Sequence, residues 1–190
     1  MHIRITHLDT PVDDALAVID GCPGLACAYA LRVMDSQESV LVSAWDDDPP
    51  KDDAGSDSAG LTYDRGRLHA GVDADEPAQY GQLFFFDGPR PPAQAEAIDR
   101  AGSERIWPAV RDVPGTVAAL VGRGSDGSSV VVCLTTSLQA LEDAQRATLS
   151  TELLPGEEPA LLTGPDRIQL ASVLAQSSQR PPISSRSVHP

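Results

Sequence analysis

Apolar and polar residues alternate along most of this chain in short runs, and that period of two is typical of β-strands. Two of the runs, Leu25–Met34 and Tyr80–Asp87, carry apolar groups on both faces, so we expect both faces of those strands to be covered. A weaker run covers 67–72. The remaining predicted strands cover 2–8, 40–45, 116–123, 130–135 and 168–174.

Segments with helical spacing of apolar residues lie between the strands and are marked by start and stop residues. Pro11 and Gly21 bracket the first of them. Because strands and helices both recur and the strands are joined by hairpin turns, the pattern predicts an α+β protein with antiparallel sheets. The predicted helices cover 12–20, 93–101 and 103–113, with a last one capped by Thr136 or Ser137 and ending at Leu149.

The order of elements repeats once along the chain. Pro23-Gly24 and Pro114-Gly115 each end a helix and precede a strand, and Arg32 and Arg123 follow at the same distance. Strand, helix, Pro-Gly, strand, hairpin and strand occur in that order in both halves. The repeat predicts a tandem duplication.

Two such halves predict a specific architecture. A ferredoxin-like half has one sheet face covered by helices and one apolar face left over, and two halves that face each other bury both leftover faces. We therefore predict an α+β fold in which two ferredoxin-like halves form a pseudo-dimeric barrel within one chain. The predicted halves are 1–78 and 79–175, followed by a disordered tail over 176–190.

The composition changes sharply between Asp46 and Gly60. This segment has six Asp and no large apolar side chain, which predicts a solvated insertion in the first half. A calcium site is the alternative, but the D-x-D-x-D-G spacing with a glutamate at loop position 12 is absent.

Charge and cysteine content narrow the function classes. The formal net charge of −14 argues against binding to nucleic acid or to an anionic membrane surface. The three cysteines show no C-x-x-C spacing and the four histidines lie far apart, so we predict free thiols, no metal and no cofactor. Without a visible signal peptide or an apolar stretch of membrane-spanning length, a cytoplasmic location is expected.

The chain resembles the dimeric α+β barrel superfamily, most closely its antibiotic-biosynthesis-monooxygenase-like (ABM-like) branch. The resemblance is carried by Pro114-Gly115, by the hairpin strands that end at Leu134, and by the run from Thr136 to Glu142, which is similar to the family's W-x-S-x-x-A-L helix start. Trp45 stands at the tryptophan position in the first half, and Thr135 in the second. The resemblance covers most of residues 1–175.

The resemblance implies a range of activities rather than one reaction. The family includes cofactor-free oxygenases of aromatic compounds, haem-degrading proteins and proteins without known activity. Its oxygenases use Asn, Trp and sometimes His or Arg in a cavity between helices and sheet. This chain contains no asparagine, so an Asn-dependent mechanism does not carry over.

Four residues are candidates for binding a small ligand: His7, Tyr29, Arg32 and Trp45. His7 has the chemistry of a general base, and Arg32 that of a partner for an acidic group. Each of the four residues also has a structural interpretation, such as a hydrogen bond at a strand end or a place in the core. Haem binding is a third alternative, with His7 or His69 as the axial ligand.

Two functions therefore compete at this point. The first is a non-catalytic or small-ligand-binding barrel, whose ligand is flat, apolar and neutral or weakly anionic. The second is a cofactor-independent monooxygenase-like enzyme that acts on an aromatic or polyketide-like molecule. The protein is expected to be a monomer, with both halves in one chain, or a weak homodimer.

Overall fold

Nine strands form one antiparallel sheet in the computed structural model, which describes residues 1–9, 11–49 and 60–178. The strands are β1 His2–His7, β2 Leu25–Val33, β3 Ser39–Trp45, β4 Leu61–Tyr63, β5 Arg65–Ala70, β6 Tyr80–Phe86, β7 Thr116–Arg123, β8 Ser129–Thr135 and β9 Arg167–Ser178. The predicted α+β class with antiparallel sheets is confirmed.

The helices lie where the capping residues predict them, with one exception. They are α1 Val12–Ile19, α2 Pro92–Arg100, α3 Trp107–Val110 and α4 Leu138–Leu149, with a short 3₁₀ turn over Pro159–Leu161. Ser137 is the N-cap of α4 and accepts the Ala140 N–H at 3.1 Å. The expected helix start at Ser103 was wrong, because a π-helical turn, Ala101–Ile106, joins α2 to α3 without a break.

The strand order is the same in the two halves. Along the sheet it reads β4-β1-β3-β2-β9-β6-β8-β7-β5, so the series β4-β1-β3-β2 is matched by β9-β6-β8-β7. In each series the last strand along the chain lies beside the first, as in a ferredoxin-like sheet. The shared order supports the predicted duplication, which stays a prediction together with its boundary near residue 78.

The two Pro-Gly pairs also have matching backbone geometry. Gly24 and Gly115 have positive φ angles of 82° and 87°. The carbonyl of Gly24 accepts the Asp46 N–H at 2.7 Å, and that of Gly115 accepts the Thr136 N–H at 2.9 Å. An irregular step in the strand register follows each glycine, at the start of β2 and of β7.

The sheet is strongly curled, but the expectation of a closed barrel was wrong. Its edge strands β4 and β5 are consecutive in the chain, with only Asp64 between them. β4 pairs with β1 and β5 pairs with β7, and the two edge strands do not pair with each other. A main-chain hydrogen bond of 2.7 Å from Gly66 N–H to Met1 O spans the gap. The two sheet edges therefore meet at a bend in the chain.

The inner face of the sheet encloses the larger apolar core. Strands of both halves contribute side chains to it, and many of these are fully buried. Burial of this face removes the apolar surface that each half would otherwise expose to water. Its large members include Ile3, Leu31, Val42, Leu83, Phe85, Leu120, Val132 and Leu134.

Two strands differ from those predicted from the sequence. β9 continues to Ser178, so residues 176–178 belong to a strand and not to the predicted tail, because they pair with Cys27–Tyr29 of β2. β4 was not predicted.

Most of the Asp-rich insertion, 50–59, and the tail beyond 178 lie outside the described residues. In the described part of the chain, no helix has the length and apolar character needed to cross a membrane.

Replacing Gly115 by alanine is expected to destabilise the protein by about 2–4 kcal/mol, because a left-handed backbone and an overfilled site each carry a cost. A Cβ on Gly115 would lie 2.5 Å from the Ala140 Cβ. Gly21→Ala is the matched control, since its φ is also positive but no atom lies within 4 Å, and it should cost about 1 kcal/mol. Urea denaturation measures both, and equal losses would contradict the packing argument.

Candidate functional site

A cleft lined by arginines lies on the outer face of the sheet, where β5 and β7 pass under α2. We call it the arginine cleft; its volume is about 210 Å³. Because side chains alternate along a strand, Arg65, Arg67 and His69 project from the same face of β5. The lining residues are Arg65, Gly66, Arg67, Asp99, Val121 and Arg123.

Like charges are placed directly opposite each other in this cleft. Arg65 of β5 and Arg123 of β7 are partners in the antiparallel register, an arrangement that ordinarily destabilises a strand pair. Asp99, near the end of α2, pairs with Arg67 at 3.3 Å and also with Arg123. No described carboxylate forms an ion pair with Arg65. Three guanidinium groups therefore face one carboxylate.

The electrostatics of Arg123 follow from its position. Burial lowers the pKa of Arg123 below its ordinary value, Asp99 opposes that shift, and the nearby Arg67 and Arg65 add to it. The side chain is 23% exposed, so it is reachable from the cleft. A desolvated guanidinium gains more from an anionic partner than one in open water does.

The π-helical turn places a second group of residues beside the cleft. It begins two residues after Asp99, and the Ser103 hydroxyl donates to the Asp99 carbonyl at 2.8 Å. The turn ends before Trp107, whose ring lies 5.2 Å from the imidazole of His69. Single π turns within helices occur frequently at functional sites. Here the turn connects the end of α2, which carries Asp99, to Trp107.

His69 is held in its neutral form at pH 7. Burial lowers its pKa below the model-peptide value of 6.5, and the positive charge of Arg67 lowers it further, whereas Asp99 has the opposite effect. His69 lies two residues from Arg67 on the same face of β5. A neutral imidazole in this position has a nitrogen able to accept a proton.

A smaller pocket of about 40 Å³ adjoins the cleft and shares Arg65 and Arg123 with it. Arg90 lines it as well, and its side chain is 9% exposed. The Arg90 guanidinium donates to Thr163 Oγ1 at 2.7 Å and pairs with Asp166. Its Nε is buried and has no hydrogen-bond partner among the described residues. Positive charge therefore extends from the cleft toward the β7–β8 hairpin.

The four site residues expected from the sequence are not brought together. His7 and Arg32 are exposed on the surface. Tyr29 is buried in the inner core, where burial raises the pKa of its phenol. Trp45 lies on the other face of the sheet, packed under α1, and its Nε1–H donates to Ser43 Oγ at 2.9 Å. A ligand-binding role for these four residues stays a prediction.

Sequence reasoning missed the cleft because its residues come from three distant segments. Arg65, Arg67 and His69 alternate within a run that was predicted only as a weak strand. That alternation of cations on one face was the available signal. The partner residues, Arg123 and Asp99, come from the other half of the chain.

No group of three or more His, Cys, Asp and Glu side chains in the described ranges is arranged to hold a metal ion. The predicted absence of a metal or cofactor stays a prediction. None of the three cysteines forms a disulfide bond in the described structure, and Cys27 is the buried one among them.

No protein-family model matches the sequence, and none of the curated proteins is similar to it. Solved structures are similar in fold. A candidate monooxygenase from Fusobacterium nucleatum is 9% identical with a TM-score of 0.63, and the match covers 94% of each chain. An anthrone oxidase-like protein is 16% identical with a TM-score of 0.52, over 93% of this chain and 92% of its own.

A ferredoxin-fold protein from Listeria monocytogenes, related to antibiotic biosynthesis monooxygenases, is 8% identical with a TM-score of 0.51; the match covers 90% of this chain and 94% of its own. This chain has the ferredoxin-like α+β fold that these proteins share. Because more than nine-tenths of each chain is covered in the first two matches, the likeness extends over both halves. At these identities the ABM-like likeness establishes the fold and no reaction.

The low pKa of His69 predicts a pH dependence of stability. The unfolded chain takes up a proton at His69 near pH 6.5, whereas the folded protein takes it up only at a lower pH. The free energy of unfolding therefore falls as the pH drops below 6.5. In His69→Gln this contribution is absent, so the loss between pH 8 and pH 5 should be smaller than in the wild type. Urea denaturation at both pH values measures it, and identical losses would contradict the assignment.

Proposed function

We propose that this ABM-like protein binds a small, flat organic acid in the arginine cleft. The observation that supports this proposal is the excess of guanidinium groups there: in the described part of the chain, Arg65, Arg67 and Arg123 face Asp99 as the one carboxylate of the cleft. Such an arrangement stabilises a bound carboxylate or phenolate through charge-assisted hydrogen bonds. It is also costly in the absence of an anion, since Arg65 and Arg123 are directly opposed.

The size of the cleft limits the ligand. Sites for drug-sized molecules have roughly 300–1,000 Å³, and this cleft has about 210 Å³. A single-ring acid suits that volume better than a polycyclic one. The net charge of −14 repels large polyanions at long range, while the local arginines attract one small acid.

The packing of the inner face of the sheet also favours the arginine cleft as the ligand site. Leu83, Leu120 and Leu134 are fully buried there and belong to one continuous apolar core. Interiors of this kind are close-packed and leave little room for a ligand. The flat part of the ligand would instead lie toward Trp107 and His69, which are in ring contact beside the cleft.

A second candidate is a cofactor-independent monooxygenase-like activity on an aromatic or polyketide-like molecule. The neutral His69 favours it, because a base is needed to remove the proton of a phenol or an activated CH₂ group. The anthrone oxidase-like protein of similar fold supports the same class. In such a reaction one O₂ converts a CH₂ group to a carbonyl and releases water.

We further propose that the protein works in the cytoplasm as a monomer. Its three cysteines form no disulfide bond in the described structure, which suits a reducing compartment. Both halves of the sheet come from one chain and are joined by β9, which pairs with β2 and with β6.

Binding of benzoate, measured by calorimetric titration, tests the proposed function. Arg67→Gln should weaken benzoate binding about tenfold or more, the scale of one charge-assisted hydrogen bond. Arg32→Gln is the matched control, since Arg32 holds in the first half the place that Arg123 holds in the second, but lies exposed and outside the cleft. Benzyl alcohol, which lacks the charge, should not bind measurably.

Two results would contradict the proposal: no benzoate binding by the wild type, or a loss caused by Arg32→Gln and not by Arg67→Gln. Oxygen uptake with anthrone tests the second candidate. One O₂ consumed per ketone formed, abolished in His69→Gln, would establish turnover. Benzoate binding without oxygen uptake would leave a binding protein.

A further inference from the structure

We infer that Asp99 occupies the position of the ligand's carboxylate, so that the ligand binds by displacing Asp99 from Arg67 and Arg123. The inference rests on the proposed function, since it concerns the same cleft. Asp99 is then an internal competitor of the ligand, and the acidic group of the ligand is a carboxylate or a group of similar shape.

The contacts of Asp99 show how the carboxylate is held. Arg67 Nη1 lies 3.3 Å from Asp99 Oδ1, and Arg123 Nη2 contacts the same oxygen. Both guanidinium groups therefore use one carboxylate oxygen. A two-pronged contact, in which two parallel N–H groups meet both oxygens, is stronger and more specific. A ligand carboxylate that enters the cleft freely can adopt that geometry.

The position of Asp99 in the fold allows it to leave. Asp99 is the second-last residue of α2, and none of the residues of α2 is fully buried. The π-helical turn follows at once. Its side chain is 27% exposed, so a displaced carboxylate reaches water without crossing the protein. Elements with few buried apolar contacts open at a low free-energy cost.

The charges of the cleft favour exchange over simple addition. With Asp99 in place the three guanidinium groups already have one anion near them, and a second anion beside it is repelled. When the ligand takes the place of Asp99, Arg123 keeps an anionic partner and the repulsion is relieved. Removal of the Asp99 charge should therefore strengthen ligand binding, although it removes an ion pair from the free protein.

Titration of benzoate into Asp99→Asn tests this exchange. The variant should bind benzoate about tenfold more tightly than the wild type, because no internal carboxylate competes. Asp143→Asn is the matched control: it also breaks an aspartate–arginine pair on a helix, with Arg146 of α4, but outside the cleft. It should leave benzoate affinity unchanged.

The outcomes separate this inference from the proposed function. Wild-type binding that Arg67→Gln weakens, together with unchanged or weaker binding in Asp99→Asn, would overturn the displacement and leave the ligand site intact. Absence of benzoate binding in the wild type and in Asp99→Asn alike would overturn both.

Two further measurements apply if Asp99→Asn folds poorly. In Asp99→Ala, added acetate should raise the melting temperature by filling the vacated place, and the double variant with Arg67→Gln should lose most of that rise. In wild-type crystals soaked with benzoate, Arg123 should contact the ligand and lie more than 4 Å from the Asp99 carboxylate. An intact Arg123–Asp99 pair beside bound benzoate would overturn the inference.

Discussion

The fold depends on two segments that each pair with both halves of the chain. β9 lies between β2 and β6, and the bent segment β4–β5 pairs with β1 on one side of its bend and with β7 on the other. Without these junctions each half would expose the apolar face that now lies in the inner core. Because loss of one junction exposes core residues of both halves, we expect the two halves to unfold together rather than as separate domains.

The candidate site lies at one of these junctions. Arg65 and Arg67 belong to the first half, while Arg123 and Asp99 belong to the second. The cleft therefore exists only when β5 is paired with β7, and its opposed arginines place a cost on the same strand pair that holds the edge strand β5 in the sheet. Local conflicts of this kind are expected at functional positions, where the rest of the structure offsets them. The inner core supplies that compensation here.

The local structure was largely predictable from the sequence. Alternation of apolar residues placed most of the strands within one to four residues of their observed ends, and Ser137 caps α4 as its residue type predicts. The repeat also anticipated the shared strand order, since Gly24 and Gly115 adopt the same left-handed backbone before equivalent strands. β4 was missed because it has three residues and follows the Asp-rich segment without a clear alternation. The π-helical turn was missed because Ser103 was interpreted as the N-cap of a separate helix, whereas the helical backbone runs on from α2 to α3.

The sequence by itself determined the α+β class and anticipated the shared strand order of the two series, because these follow from short-range patterns. Only the tertiary structure decided where the charges meet. Arg32 and Arg123 are equivalent in the repeat, yet Arg32 is exposed and Arg123 is ion-paired in a cleft. Tyr29 and Trp45 were expected to share a cavity, but the pleat of the sheet and the irregular register at the start of β2 place them on opposite faces. Side chains that lie far apart in the chain meet through strand pairing, and that pairing is set by burial of the whole inner face rather than by any local pattern.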